Sequence, residues 1–172
     1  KGWGPERHVY FTAVFSKPFR DFGIMQDTIP VKYNTNRFRS SLEAWGKDLR
    51  FWMRFPTRQG EVVTVKTAVS AVSSDGAKLN MQELEGKTFA SLKAEGEKLW
   101  EGQLSKFKIE ATPEQRETFY TSVYHAFLHP FIFQDADGKF RELDKNIGQA
   151  EGFTNYTVFS LWDTYRALHP LF

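Results

Sequence analysis

Asp163 stands between Trp162 and Thr164 in "YTVFSLWDTYRALHP", a stretch that also holds Tyr156, Phe159, Tyr165 and His169. A carboxylate set among rings is suited to holding a sugar. When ionised it accepts hydrogen bonds at both oxygens, which matches two adjacent hydroxyls, and a neighbouring indole shapes the pocket. The same spacing also suits the start of a last helix running through Arg166 and Leu168, with Asp163 or Ser160 satisfying free N–H groups as the N-cap. On residue types alone both readings stand.

Other groupings carry less chemistry. Asp135-Ala136-Asp137-Gly138 has part of a calcium loop, but such a loop needs several oxygen ligands around one turn. Lys139 and Arg141 occupy ligand-like positions, so the Asp-Gly pair reads as a hairpin turn between Phe131–Phe133 and Phe140. Glu83, Glu85, Glu95 and Glu97 could be taken as paired acids for glycoside hydrolysis. They sit among lysines on polar, helix-like stretches, and a solvated face is expected. His125 and His129 share a helix face, yet the Glu of an H-E-x-x-H site is absent, so helix-end packing is expected. No glycine-rich phosphate loop and no nucleophile elbow are present. The absence of cysteine excludes disulfides, zinc-thiolate sites and thiol nucleophiles.

The elements that would position these residues follow from periodicity. With 41% hydrophobic and 26% charged residues, a packed core is expected. Aromatics at 16% suit either core packing or stacking on a ligand. A net charge of +2 without a basic block argues against a nucleic-acid or membrane-surface protein. No apolar run approaches the roughly 20 residues of a membrane span. Up to about residue 75 the chain reads as strands. Val9, Phe11, Ala13 and Phe15 alternate with His8, Tyr10, Thr12 and Val14; Leu49, Phe51, Met53 and Phe55 alternate with Arg50, Trp52 and Arg54; and a β-branched run alternates again through Val63, Val65, Val69 and Ala71. Pro56 to Gly60 has turn chemistry. A helix is expected from about Thr88 to Lys106, with Phe89, Leu92, Leu99 and Leu104 on one stripe. Thr112, Pro113 and Gln115 open another as N-cap, first turn and capping box. Phe119, Val123 and Phe127 form its buried stripe, and Pro130 ends it. The echo between "YHAFLHP" and "YRALHP" hints at arrayed helices. The chain starts on Lys1 rather than Met and stops within an apolar, helix-like pattern, so a piece of something longer is expected.

The segments "FYTSVYHAFLHP", "FQDADGKFRELD" and "NYTVFSLWDTYRALHPLF", preceded by "YFTAVFSKPF" and "VKTAVSAVSSDGAKLN", resemble glycoside hydrolase family 92, the bacterial calcium-dependent exo-α-mannosidases. The resemblance covers nearly the whole chain in the right order. It implies a mixed fold: residues 1–75 as the C-terminal part of a β-sandwich, 76–110 as a helical linker, and 111–172 as the first helices of an incomplete (α/α)6 toroid. It implies inverting hydrolysis that releases mannose from α-mannosides, α-1,2-mannosidase-like, with calcium holding the 2- and 3-hydroxyls of the sugar. Asp163 and Trp162 match the family's pocket for the terminal sugar and are expected to bind substrate. The family's acid glutamate and base aspartate lie further downstream, so no catalytic residue is expected in this chain, and most calcium ligands are expected outside it. The chain alone is then expected to be inactive. Its apolar face around Phe119, Val123 and Phe127 would need the remainder of a parent chain, or self-association, to cover it. Mannose-containing glycans and a periplasmic or extracellular location are implied as well. The alternative from another class is a non-catalytic carbohydrate-binding or scaffold module, which would present its aromatics on an exposed sheet face or loop.

Overall fold

The structure, a computed structural model, describes residues 7–26, 28–30 and 46–172. The strands β1 (Tyr10–Phe15), β2 (Asp21–Gln26), β3 (Ile29–Pro30), β4 (Leu49–Arg54) and β5 (Val65–Ser70) come first. The helices α1 (Ser74–Met81), α2 (Phe89–Leu104) and α3 (Pro113–Ala126) follow. The late strands β6 (Lys139–Arg141) and β7 (Ile147–Gln149) then precede the single-turn α4 (Leu161–Thr164). The expected order, strands and then helices, is present. The stretch 31–45, inside the expected sandwich portion, lies outside the described residues. The chain forms two compact units: Val14–Lys66, and the residues up to Ala13 together with Thr67–Phe172.

In the first of these units, β2 is hydrogen bonded to β3 on one side and to β4 on the other, both antiparallel. β4 forms where its alternation predicts. Apolar alternation does not mark β2, because Gly23 interrupts it. In the structure Gly23 faces Trp52 across the ladder. A methyl group on Gly23 would stand 2.6 Å from the indole, so the missing side chain is what lets the ring lie there. The opposite face carries a phenylalanine cluster. Phe15 and Phe55 approach with centroids 5.4 Å apart, Phe19 and Phe22 at 5.5 Å, and Phe22 and Phe51 at 5.8 Å. Such ring pairs add about 0.5–1.5 kcal/mol each beyond the area they bury. The predicted turn is present, closed by Glu61 N–H to Arg58 O at 3.1 Å. Lys17 ties it down through Glu61 at 2.5 Å.

The faces of β1 and β5, which pair as a two-stranded sheet, correct the expected burial. Val9, Phe11, Val65 and Val69 are all at least half exposed. The covered positions of β5 are instead Lys66, Ala68 and Ser70. Alternation located these strands without telling which face the fold covers.

In the helical part, both predicted helix starts are present. Thr88 and Ser91 form a capping box on α2, and Thr112 and Gln115 form one on α3, with Pro113 in the first turn. Each such cap is worth about 1 kcal/mol. The expected stripe on α2 needs correction: Phe89 and Leu99 face solvent, and the covered positions are Leu92, Gly96, Trp100 and Leu104. Spacing by fours brings Trp100 against α3, where its ring meets Tyr124 at 4.4 Å. The stripe on α3 holds, but it is covered from within the described residues, which corrects the expectation of an apolar face left for another chain: Val123 is buried, and Phe119 and Phe127 are half-buried. Phe107 packs against both rings at 6.2 and 6.1 Å, and its carbonyl accepts a hydrogen bond from the Tyr120 hydroxyl at 2.8 Å.

Candidate functional site

The strand segment that leads into Trp162 and Asp163 is held by the loop between α3 and β6. Phe133 N–H donates to Asn155 O, and Thr157 N–H to Phe131 O, both at 2.9 Å. Side chains complete the clamp: Asn155 Nδ2 donates to Phe133 O at 2.7 Å, Asn155 N–H to Gln134 Oε1 at 2.7 Å, and Phe131 N–H to Thr157 Oγ1 at 3.1 Å. Here the structure corrects the expected hairpin. The Asp-Gly turn is where it was predicted, with Gly138 in the left-handed region at φ 82. However, Phe131–Phe133 joins residues 155–157, while β6 pairs antiparallel with β7. The turn between β6 and β7 comes later, around Lys145, which also has positive φ.

The loop is anchored at its far end by Asp135. Its carboxylate accepts from Ser70 Oγ at 2.6 Å and from Asn80 Nδ2 at 2.8 Å. Asn80 returns the contact by accepting from Ala136 N–H at 2.8 Å and donates to Val69 O at 2.9 Å. Ser70 Oγ accepts in turn from the N–H groups of Val72 and Ser73. Gly76 on α1 packs so closely that a methyl there would lie 2.2 Å from Asp135 Oδ2. Arg141 adds bonds to Ala71 O at 2.7 Å and Val72 O at 3.3 Å. Asp135 is 5% exposed, yet both of its oxygens have donors, so the group pays little for its burial.

Downstream, Phe159 stacks on Phe172 at 5.8 Å, and Phe172 meets Phe127 of α3 at 5.5 Å. These rings seat the segment that carries α4. The last helix is much shorter than expected. α4 ends at Thr164, and Ala167 takes the left-handed conformation at φ 67. A Cβ in that region breaks the helical run at a cost of about 1 kcal/mol or more.

The N-cap position of α4 belongs to Ser160, whose side chain makes no cap hydrogen bond. Asp163 lies in the first turn and is exposed. Its N–H donates to Ser160 O at 3.1 Å. Its carboxylate has no hydrogen bond or ion pair among the described residues. The capping reading of Asp163 is therefore set aside. Trp162, 85% exposed, forms with Leu161 and Tyr165 an open depression of about 440 Å³. Arg166 lies over the Tyr165 ring at 5.2 Å and donates to its hydroxyl at 2.6 Å. Asp163 is not among the residues lining that depression; a free carboxylate can accept hydroxyl hydrogens, and exposed ring faces can meet C–H groups.

The remaining groupings resolve as packing or surface. The Lys87–Glu95 and Lys93–Glu97 pairs, at 2.7 and 3.6 Å, form a solvated face. His129 packs on Phe131 at 5.1 Å, and His125 on Tyr124 at 5.7 Å. A calcium cage does not fit the described residues. They hold no group of three or more acidic or imidazole side chains placed to share an ion. In the Asp-Gly turn, Asp135 is taken by Ser70 and Asn80, while Asp137 is taken by Lys139 at 2.7 Å. The Lys139 hydrogen bond lowers the Asp137 pKa and raises that of Lys139. Among the described residues no helix is long and apolar enough to cross a membrane.

Sequence families and solved structures agree on the class. The glycosyl hydrolase family 92 N-terminal domain matches residues 1–70, and the family 92 catalytic domain matches residues 76–172. The family GH92 alpha-mannosidase BT3965 from Bacteroides thetaiotaomicron is 67% identical, with a TM-score of 0.91 over 99% of this chain and 23% of its own. A structure of the same mannosidase in complex with mannoimidazole matches equally well. The family GH92 inverting mannosidase BT2199 from the same organism shares the fold at 23% identity and a TM-score of 0.77, over 99% of this chain and 23% of its own. No curated protein matches. The class is thus that of the glycoside hydrolases, with α-mannosidases among the structural relatives. The chain belongs to glycoside hydrolase family 92. It spans about a quarter of the length of these solved relatives, 23% in the case of BT3965.

Proposed function

We propose that this chain is part of an α-mannosidase and contributes the contact for the terminal mannose. The observation that carries the reading is the Asp163 carboxylate, exposed and without a partner among the described residues, in the same single-turn helix as Trp162, whose ring lines an open depression with Leu161 and Tyr165. Asp163 accepts hydrogen bonds from two adjacent sugar hydroxyls, and Trp162 offers an apolar surface to the sugar's C–H groups. The complex of the 67% identical BT3965 with mannoimidazole supports a mannoside as the ligand. Hydrolysis with inversion needs one carboxylic acid at the leaving oxygen and one carboxylate activating water, about 6.5–9.5 Å apart. No such pair is assigned to this chain; both groups belong to the remainder of the enzyme, and the 172 residues alone do not turn over mannosides. Calcium enters only as an ion that residues elsewhere in the protein would hold. The proposed division is the C-terminal part of a β-sandwich over 1–75, a linker over 76–110 and the start of an (α/α)6 toroid over 111–172. Family matches on either side of residues 70–76 support its first boundary. Mannose-rich glycans outside the cytoplasm are the proposed setting.

A second reading, a carbohydrate-binding module, is favoured by one observation: Trp52 lies on the face of a sheet, partly exposed and flanked by Arg50 and Arg54. One comparison separates the two. In the full-length protein, Asp163→Asn should slow mannose release while the melting temperature holds; unchanged kinetics would remove Asp163 from the substrate site. The isolated chain, given α-1,2-mannobiose and calcium, should release no mannose. Robust turnover would overturn the assignment of acid and base to the remainder of the enzyme. Glycan binding lost on Trp52→Ala but kept in Asp163→Asn would favour the module.

A further inference from the structure

The buried carboxylate of Asp135 has no role in the proposed contact with mannose, yet it anchors the loop that carries that contact. Asp135 is fixed by Ser70 and Asn80. Directly before it, residues 131–134 clamp residues 155–157 through backbone and side-chain bonds. The clamped strand runs through Phe159, stacked on Phe172, into Trp162 and Asp163. α4 itself is a single turn with no side-chain cap, and so it brings little rigidity of its own. We propose that Asp135 is a positioning residue: through the clamp on residues 155–157 it sets where Trp162 and Asp163 meet the sugar. The proposal rests on the reading of Asp163 as a substrate contact.

The chemistry at Asp135 makes a selective variant available. Ser70 Oγ already accepts from Val72 and Ser73, and Asn80 Nδ2 donates. Both neighbours therefore need an acceptor, which a carboxylate supplies twice. In Asp135→Asn the amide nitrogen confronts one of these donors, and the anchor loosens without a change of volume. At the other end of the clamp, Thr157→Val removes the acceptor of Phe131 N–H and keeps the side-chain shape.

The experiment uses the full-length protein, mannoimidazole as the probe, and amide exchange at Phe133 and Thr157 as the report on the clamp. The expected result is faster exchange at those amides, with the β2–β4 amides unchanged. Mannoimidazole affinity should fall about tenfold in Asp135→Asn and about threefold in Thr157→Val, and KM should rise more than kcat falls. Suppose Asp163→Asn weakens binding while both clamp variants exchange faster and still bind as the wild type does. The positioning role is then overturned and the reading of Asp163 survives. If Asp163→Asn itself binds normally, that reading falls and the positioning role falls with it. Should Asp135→Asn fail to fold, Thr157→Val decides by the same criteria.

Discussion

Two aspartates in the same unit of the chain illustrate opposite uses of one side chain. Asp135 is 5% exposed and receives a donor on each oxygen. Asp163 faces solvent in a ring-rich stretch of the sequence, and its carboxylate receives nothing from the described residues. Both follow aromatic, β-prone sequence, and both stood in segments where a ligand-binding role was conceivable. The difference lies in what comes to them from elsewhere in the chain. Ser70 and Asn80 converge on Asp135 from far upstream, whereas α4 is too short and too exposed to bring any partner to Asp163. A saturated carboxylate holds structure in place; an unsaturated one is available to a ligand.

The largest expected effect tests the saturated side. Asp135→Ala leaves the Ser70 hydroxyl and the Asn80 amide without acceptors in a buried place, and each orphaned group costs about 1–3 kcal/mol. The full-length protein should lose about 3 kcal/mol of stability by denaturant unfolding, and a loss below about 1 kcal/mol would mean that water or a rearranged loop replaces the carboxylate. The second effect tests the open side. Asp163→Asn should cost about 1.5–3 kcal/mol in mannoside kcat/KM, at least tenfold, with stability within about 0.5 kcal/mol of wild type. Equal losses of stability in the two variants would erase the contrast. A smaller effect concerns the turn after α4. Ala167→Gly relieves the left-handed strain at φ 67, and a gain of up to about 1 kcal/mol is expected, offset in part by the entropy of the unfolded chain. Any loss of stability would show that the Ala167 methyl makes contacts worth more than the strain.

The smallest effect is one of pH. Lys139 lowers the Asp137 pKa in the folded chain. A folded value below the unfolded one means that the stabilisation is complete above the unfolded carboxylate pKa of about 4 and fades as pH falls through the folded value. The pair is solvent-exposed, so the change should be small. Asp137→Asn should flatten the dependence of stability on pH in this acid range alone, and an equal slope in wild type and variant would show that the pair adds nothing.

How far the fold could be read from residues depended on whether the signal was local. Thr112, Pro113 and Gln115 announce α3 because capping needs only neighbours along the chain, and the structure shows that box closed. The start of α2 near Thr88 was legible from its run of helix formers, while the capping box of Thr88 and Ser91 was not read in advance. The covered face of α2 was misjudged because Trp100 turns inward only where Tyr124 of another helix awaits it. β2 was missed because Gly23 makes sense only beside Trp52. At the candidate site, Trp162 and Asp163 stood out by composition, and the structure leaves both exposed while Thr164 of the same turn is buried. The break at Ala167 was illegible, since alanine ordinarily favours helix and nothing local forbids it. The Asp135 anchor was also beyond reach: it is built by Ser70 and Asn80, whose partners lie more than fifty residues away.

The indole of Trp52 resting on Gly23 has a consequence for how the first sheet assembles. Sliding β4 by two positions would keep every side chain on its own face, but it would bring the indole against Asp21 or Met25, where a side chain already fills the space. Only one alignment of these strands leaves a vacancy of the right shape, so the sheet is keyed by an atom that is missing. Gly23→Ala, which changes no polar contact, should therefore loosen the pairing of β2 with β4 and move the tryptophan emission, more than the addition of one methyl to a half-exposed sheet would otherwise do.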